Sequence, residues 1–135
     1  MTETNQKSEV LMSFFDIFKK SKKEKYIVDK TPVDSEYIES KFRFLVDCGY
    51  KYVFYQKNWE KEFVYTANEC RVEIYLDGYV FDCVIRAKEI ERVNLLESPL
   101  ASEGFVSSYL KASNHERADM TAELLKENAE IFLQK

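Results

Sequence analysis

Apolar and polar residues alternate along residues 50–87, and this period of two is typical of β-strands. Three dipeptides interrupt the alternation as candidate two-residue turns: Asn58-Trp59, Asn68-Glu69 and Asp77-Gly78. Aspartate followed by glycine is the strongest of these signals, because both positions of a type I′ turn need a positive φ. The segment therefore predicts a four-stranded antiparallel meander with the strand order 1-2-3-4.

The three turns set a register in which the apolar side chains share one face. The first turn pairs Phe54 with Phe63, the second pairs Phe63 with Ile74, and the third pairs Ile74 with Phe81. A slip of one residue in any hairpin would move its side chains to the other face. Because the three turns agree, we expect one apolar sheet face that helices cover.

The opposite face combines valines and tyrosines with charged side chains. The register places Glu73 directly opposite Asp82, with Arg71 on the diagonal. Like charges in opposite positions destabilise a sheet, so this pair needs an explanation. Three are open: a solvated ion network, a polar patch that contacts a partner, and a pair of catalytic carboxylates.

Two helices are predicted to flank the strands. Thr31 is a suitable N-cap for the first, Pro32 suits its first position, and Gly49 ends it as a left-handed C′ residue. Ser113 and Glu116 form a capping-box pattern for the second, which we expect to run nearly to the C-terminus. With both helices on the apolar face, the fold class is α+β with two layers.

Other segments have weaker patterns. Residues 88–97 fit either a short helix or an extended edge segment, and residues 104–110 fit another short helix. By length and composition, residues 26–135 form a single domain, preceded by a separate segment over residues 1–25.

That N-terminal segment combines an amphipathic pattern with positive charge. Apolar residues lie on one side of a helix projected over residues 10–18, and residues 19–25 include five lysines. Such a helix binds an anionic membrane surface in some proteins. The alternatives are a cover for an apolar patch of its own domain, such as the valine-containing sheet face, or a subunit contact.

Charge is distributed unevenly along the chain. The net charge is −4, yet residues 1–25 carry six lysines against four acids, so the remainder is acidic. An acidic body disfavours nucleic acid and favours a basic protein partner. The pattern contains no run of about 18 apolar residues that would predict a transmembrane helix, and we expect a cytoplasmic protein.

The sequence offers few groups for catalysis. His115 is the only histidine, so no zinc cluster and no Ser-His-Asp set can be assembled. The three glycines form no phosphate-binding loop. Cys48, Cys70 and Cys83 have no metal-like spacing and are expected to be free thiols. We therefore predict a protein that is not an enzyme and has no cofactor or metal; catalysis would have to rest on carboxylates.

A binding surface is the remaining hypothesis. Tyrosine and tryptophan outside the core anchor many protein interfaces, and nearby acids would attract a basic partner. The candidate contact residues are Tyr55, Trp59, Glu73, Tyr75, Asp82, Glu123, Glu127 and Glu130.

Three stretches also resemble small bacterial immunity proteins in the order of their elements. They are residues 12–20 (MSFFDIFKK), residues 44–50 (FLVDCGY) and residues 74–77 (IYLD). The resemblance implies a cytoplasmic, non-enzymatic inhibitor that occludes the active site of a toxin, here a basic toxin domain, through acidic and aromatic surface residues.

Overall fold

A computed structural model describes residues 33–77 and 80–133, in which five antiparallel strands form one sheet in the order β1-β2-β3-β4-β5. The strands are β1 Lys51–Lys57, β2 Glu60–Ala67, β3 Cys70–Asp77, β4 Val80–Ala87 and β5 Ile90–Asn94. The helices are α1 Ser35–Lys41, α2 Arg43–Asp47, α3 Glu103–Leu110, α4 Asn114–Glu127 and α5 Ala129–Phe132. The predicted α+β class is confirmed. The N-terminal segment and the predicted domain boundary lie outside the described residues.

The inner face of the sheet carries the core, as the alternation predicts. Phe63, Ile74, Phe81 and Ile85 are fully buried and join Leu125 of helix α4 in one apolar cluster. Burying a side chain of this size stabilises the fold by roughly 1.5–3 kcal/mol. This layer therefore fixes the side chains of the alternate positions on the outer face.

Two of the three predicted hairpin registers are confirmed. Phe54 pairs with Phe63 across β1 and β2, and Phe63 pairs with Ile74 across β2 and β3. Asn58 and Asn68 have positive φ values of 59° and 27°, as the first residues of their turns. Asparagine tolerates this conformation better than most residues, which explains why both turns close in two residues.

The register predicted for the third hairpin is wrong by two residues. Ile74 pairs with Cys83 rather than with Phe81. A shift of two keeps every side chain on its predicted face, because side chains alternate with a period of two. The hydrophobic pattern therefore could not detect this error.

The β2–β3 ladder explains the shift. Glu60 begins β2 and pairs with Asp77, so Asp77 is the last residue of β3 and not a turn residue. Asp77 also pairs with Val80 of β4. Gly78, the second residue of the predicted turn, lies outside the described residues.

The prediction of a four-stranded sheet is also wrong. Residues 90–94 form a fifth strand beside β4, which is one of the two forms that the pattern of residues 88–97 allowed. This strand brings Arg92 and Asn94 to the sheet, and both side chains contact outer-face carboxylates.

Helix α1 begins later than predicted. Asp34 is its N-cap, and the carboxylate accepts the backbone N–H of Tyr37 at 2.8 Å. Aspartate is a stronger N-cap than threonine, and its charge suits the helix N-terminus. The predicted cap, Thr31, lies outside the described residues. The single helix predicted up to Gly49 is corrected to two, because the chain leaves the helical conformation at Phe42 between α1 and α2. Gly49 follows helix α2 with a φ of 105°, which confirms its predicted left-handed conformation.

The single long C-terminal helix is corrected to two helices. The capping box of Ser113 and Glu116 is present as predicted, but helix α4 ends at Glu127. The side chain of Asn128 donates to the carbonyl of Leu124 at 2.9 Å, and its backbone N–H bonds Leu125. An asparagine that binds nearby backbone in this way competes with the helical hydrogen bonds. Helix α5 then begins at Ala129.

Candidate functional site

Outer-face side chains form rows that cross the sheet from strand to strand. The row that we call the tyrosine row consists of Tyr55, Glu62, Tyr75 and Asp82. The adjacent row, here the valine row, consists of Val53, Val64, Glu73, Val84 and Asn94. On the other side of the tyrosine row, the end row consists of Lys57, Glu60, Asp77 and Val80.

Glu73 is the one carboxylate of the valine row, and it is only 2% exposed. Arg92 donates to both of its oxygens, with distances of 2.7 Å to Oε1 and 3.2 Å to Oε2. Arg71 donates to Oε2 and Tyr75 donates to Oε1. Both oxygens therefore have two donors, so the buried charge is fully hydrogen-bonded.

These contacts determine the pKa of Glu73. Burial acts to raise the pKa, but hydrogen bonds from Arg92, Tyr75 and Arg71 outweigh burial and lower it to about 2. A group that stays ionised and has no free acceptor position is a poor general acid or base near neutral pH. Glu73 therefore belongs to an ion cluster that stabilises the fold, and its carboxylate is buried in the protein instead of being exposed to solvent.

The predicted opposition of two carboxylates is wrong. Glu73 pairs with Val84, and Asp82 pairs with Tyr75, because the β3–β4 register differs by two residues from the prediction. The two acids occupy different rows, so this face has no directly opposed carboxylate pair within the described residues.

Asp82 has a different environment from Glu73. Its Oδ1 accepts hydrogen bonds from the backbone N–H of Cys83 at 2.8 Å and from Asn94 Nδ2 at 2.6 Å. Burial raises the pKa of Asp82 to about 6, although both hydrogen bonds and the charge of Arg117 act in the opposite direction. No described residue donates to Oδ2, so this oxygen can accept a hydrogen bond from a ligand.

A cleft of about 460 Å³ lies over the tyrosine row and the end row. Its apolar and aromatic lining comes from Tyr55, Tyr75, Leu76 and Val80. Its charged lining comes from Lys57, Lys61, Glu60, Glu62, Asp77 and Asp82. Carboxylates outnumber ammonium groups in this lining by two to one. The cleft therefore combines aromatic walls with a negative charge.

The aromatic candidates lie at or beside this cleft. Trp59 is 68% exposed and Tyr55 is 55% exposed, while Tyr75 is half-buried. The indole N–H of Trp59 donates to Asp77 Oδ1 at 3.2 Å, which holds the ring next to the end row. Three of the predicted contact residues are therefore brought together on one surface.

The acids predicted on the C-terminal helix lie elsewhere. Glu123 and Glu127 are exposed on helix α4, whose opposite side packs Leu125 into the core beneath the inner sheet face. Glu130 is exposed on helix α5. These three acids are separated from the tyrosine row by the helical layer and the sheet, so the eight predicted residues do not form one contact surface.

Sequence reasoning missed several residues of the site. Arg92 and Asn94 were missed because their strand was not assigned. Arg92 donates hydrogen bonds to Glu73, and Asn94 donates one to Asp82. Lys57, Glu60 and Lys61 flank Trp59 in the chain. The cleft could have been predicted from the position of these three residues beside a tryptophan in a tight turn.

Other groups with chemical potential are not assembled into a site. Within residues 33–77 and 80–133, no three His, Cys, Asp or Glu side chains are close enough to hold a metal ion. The three cysteines are free thiols, and burial raises the pKa of Cys83. His115 packs edge-on against Tyr37, with ring centroids 4.8 Å apart.

The predicted membrane contact rests on residues 10–25, which lie outside the described residues. In the part of the chain that the structure describes, the helices are too short or too polar to cross a membrane. Membrane docking by the N-terminal segment stays a prediction.

No protein-family model, curated protein or solved structure matches this chain. The resemblance to immunity proteins stays a prediction.

Proposed function

We propose that the protein is a non-enzymatic binding module that holds a basic partner protein against the tyrosine row and Trp59. In the form that the sequence resemblance implies, the partner is a bacterial toxin domain and this protein is its immunity-type inhibitor. A basic partner also complements the acidic charge of the chain after residue 25.

The observation that carries the proposal is the combination of exposed aromatic rings with unpaired acids. Trp59 and Tyr55 are both more than half exposed. Glu62, directly opposite Tyr55, and Glu60, next to Trp59 in the chain, form no ion pair with a described residue. Tryptophan and tyrosine are enriched among the residues that dominate binding energy at protein interfaces.

The chemistry of the face supports binding rather than catalysis. The carboxylate that is most buried, Glu73, has both oxygens occupied by donors of its own fold. Asp82, whose pKa lies near 6, has no second carboxylate directly opposite it. Paired acid and base roles would need two such groups across a substrate.

Affinity capture with matched variants tests the proposal. Tagged full-length chain is expressed in its native cell, and in a second arm it is mixed with the product of the neighbouring gene. We expect one stoichiometric partner with a basic isoelectric point, released by salt. A Tyr55→Ala/Trp59→Ala variant should lose at least 90% of it, because single hot-spot aromatics contribute about 2 kcal/mol or more.

The control carries two substitutions on the other side of the molecule. Glu123→Gln/Glu127→Gln removes two charges from exposed positions of helix α4 and should retain the partner. Loss of the partner from this control, with retention by the aromatic variant, would place the interface on helix α4. Reproducible absence of a stoichiometric partner in both arms would refute the proposal.

A further inference from the structure

The tyrosine row has a spacing that suits a flat cation. Tyr55 and Tyr75 lie on β1 and β3, and Glu62 lies between them on β2. Neighbouring strands are about 4.8 Å apart, so the two tyrosines stand about 10 Å apart with a carboxylate at the centre. A cation at the midpoint would lie about 5 Å from each ring, within the range of a cation–π interaction, and close to Glu62.

The potential at this point is negative. Glu62 and Glu60 have no ion-pair partner among the described residues, while Lys57 and Lys61 are the basic residues of the lining. The pKa of Tyr75 is raised by burial, by its hydrogen bond to Glu73 and by the charges of Glu73 and Glu62, while a hydrogen bond from Arg92 acts in the opposite direction. Two carboxylates and one guanidinium therefore act on the ring that forms one wall.

The far end of the row offers an unused acceptor. Asp82 completes the row beside Tyr75, and its Oδ2 receives no hydrogen bond from the described residues. A cation in the cleft would therefore meet two tyrosine faces and two carboxylates in one line across the sheet. An anionic group would meet the same carboxylates and be repelled.

We propose that this cleft receives one arginine side chain of the basic partner, positioned between the rings of Tyr55 and Tyr75 and hydrogen-bonded to Glu62. Arginine fits better than lysine because its guanidinium is planar, stacks on aromatic faces and binds carboxylates through two parallel hydrogen bonds. Apolar Val80 in the lining suits the methylene stem. The inference rests on the proposed function and specifies how the partner is recognised.

A pair of small probes tests the cleft without the partner. The probes are N-acetyl-arginine amide and N-acetyl-citrulline amide, which has nearly the same shape but no charge. Amide NMR shifts of the isotope-labelled full-length chain are followed during titration. We expect the arginine probe to shift residues 55–62 and 75–82 with a Kd on the order of 1–10 mM, and the citrulline probe to bind about tenfold more weakly.

Variants then assign the contacts. Glu62→Gln should weaken the arginine probe about fivefold and reduce its preference over citrulline, since it removes the central charge. Tyr55→Leu should weaken both probes, because it removes a ring and keeps an apolar group. Glu123→Gln, on helix α4, should leave both affinities unchanged. Equal affinity for the two probes, or shifts outside the cleft, would overturn the inference.

The two proposals fail in different ways. If the arginine probe does not bind the cleft but Tyr55→Ala/Trp59→Ala still loses the captured protein, the arginine site is wrong and the binding module stands. If the probe binds as expected but capture yields no stoichiometric protein, the cleft preference stands and the proposed function is wrong.

Discussion

The valine row and the tyrosine row lie side by side on the same sheet face, yet their glutamates have opposite environments. Glu73 lies between Val64 and Val84 and is enclosed by two arginines. Glu62 lies between two tyrosines and has no ion-pair partner among the described residues. An ionised group among apolar neighbours must be paired to remain buried. Glu73 therefore stabilises the fold, and Glu62 is available to a partner.

The largest expected contrast comes from neutralising each glutamate in turn. Glu73→Gln leaves Arg71 and Arg92 without their acceptor and places an amide N–H₂ among donors. We expect a loss of about 2–3 kcal/mol in the free energy of unfolding; the partial exposure of both arginines keeps the loss below that of a fully buried pair. The matched Glu62→Gln should change stability by no more than about 0.5 kcal/mol. Urea denaturation measures the free energy of unfolding of both variants. Equal losses would contradict the difference between the glutamates of the valine row and the tyrosine row.

Asp82 should show a smaller, pH-dependent effect. Its pKa is raised from 3.8 to about 6, so its contribution to stability is full below pH 3.8 and is lost as the pH rises through 6. Asp82→Asn keeps an acceptor for Asn94 and removes the charge, and it should be more stable than the unmodified protein by roughly 2 kcal/mol at pH 8. Near pH 3, where Asp82 is protonated in both the folded and the unfolded state, the two should be equal. A difference that does not vary with pH would show that Asp82 has an ordinary pKa.

Tyr75 belongs to the tyrosine row but donates its hydroxyl hydrogen bond to Glu73 of the valine row. Tyr75→Phe should cost about 1 kcal/mol, the usual worth of one such hydrogen bond, and should raise the pKa of Glu73. Tyr55→Phe removes a hydroxyl with no partner among the described residues and should cost nothing measurable. Thermal unfolding compares the two; the same cost for both would indicate that the Tyr75 hydroxyl does not support the ion cluster.

The smallest stability effect is expected for the most exposed position of the tyrosine row. Tyr55→Thr retains a residue that favours strands and should alter the free energy of unfolding by less than about 0.5 kcal/mol. Partner capture should nevertheless fall, because the lost ring belongs to the proposed binding surface. A destabilisation of 2 kcal/mol or more would instead assign Tyr55 to the fold.

Much of the fold follows from local patterns. The turns at Asn58 and Asn68 and the capping box at Ser113 were predictable because each depends on residues that are adjacent in the chain. The separation of the sheet into an apolar and a mixed face was predictable because it depends only on whether a position is odd or even. The third register needed the ladder between Glu60 and Asp77, which extends β3 by one residue beyond the predicted strand end.

The candidate site was less predictable, because it depends on contacts between distant residues. Tyr55, Trp59 and Tyr75 could be chosen from their positions on the mixed face. The burial of Glu73 could not be predicted, because it depends on hydrogen bonds from Arg92. Arg92 lies in a segment whose sequence pattern fits either a helix or a strand. Glu123 and Glu127 were grouped with the sheet residues by charge alone, and charge does not specify the layer in which a residue lies.

On the outer sheet face, Glu73 of the valine row has both oxygens occupied by donors of the fold, whereas Asp82 of the tyrosine row has an oxygen that receives no hydrogen bond from the described residues. A pH titration of the side-chain carboxyl carbons by NMR tests this difference. We expect Glu73 to stay ionised down to about pH 2 and Asp82 to be half protonated near pH 6. Titration of both groups near pH 4, as for carboxylates in water, would contradict this expectation.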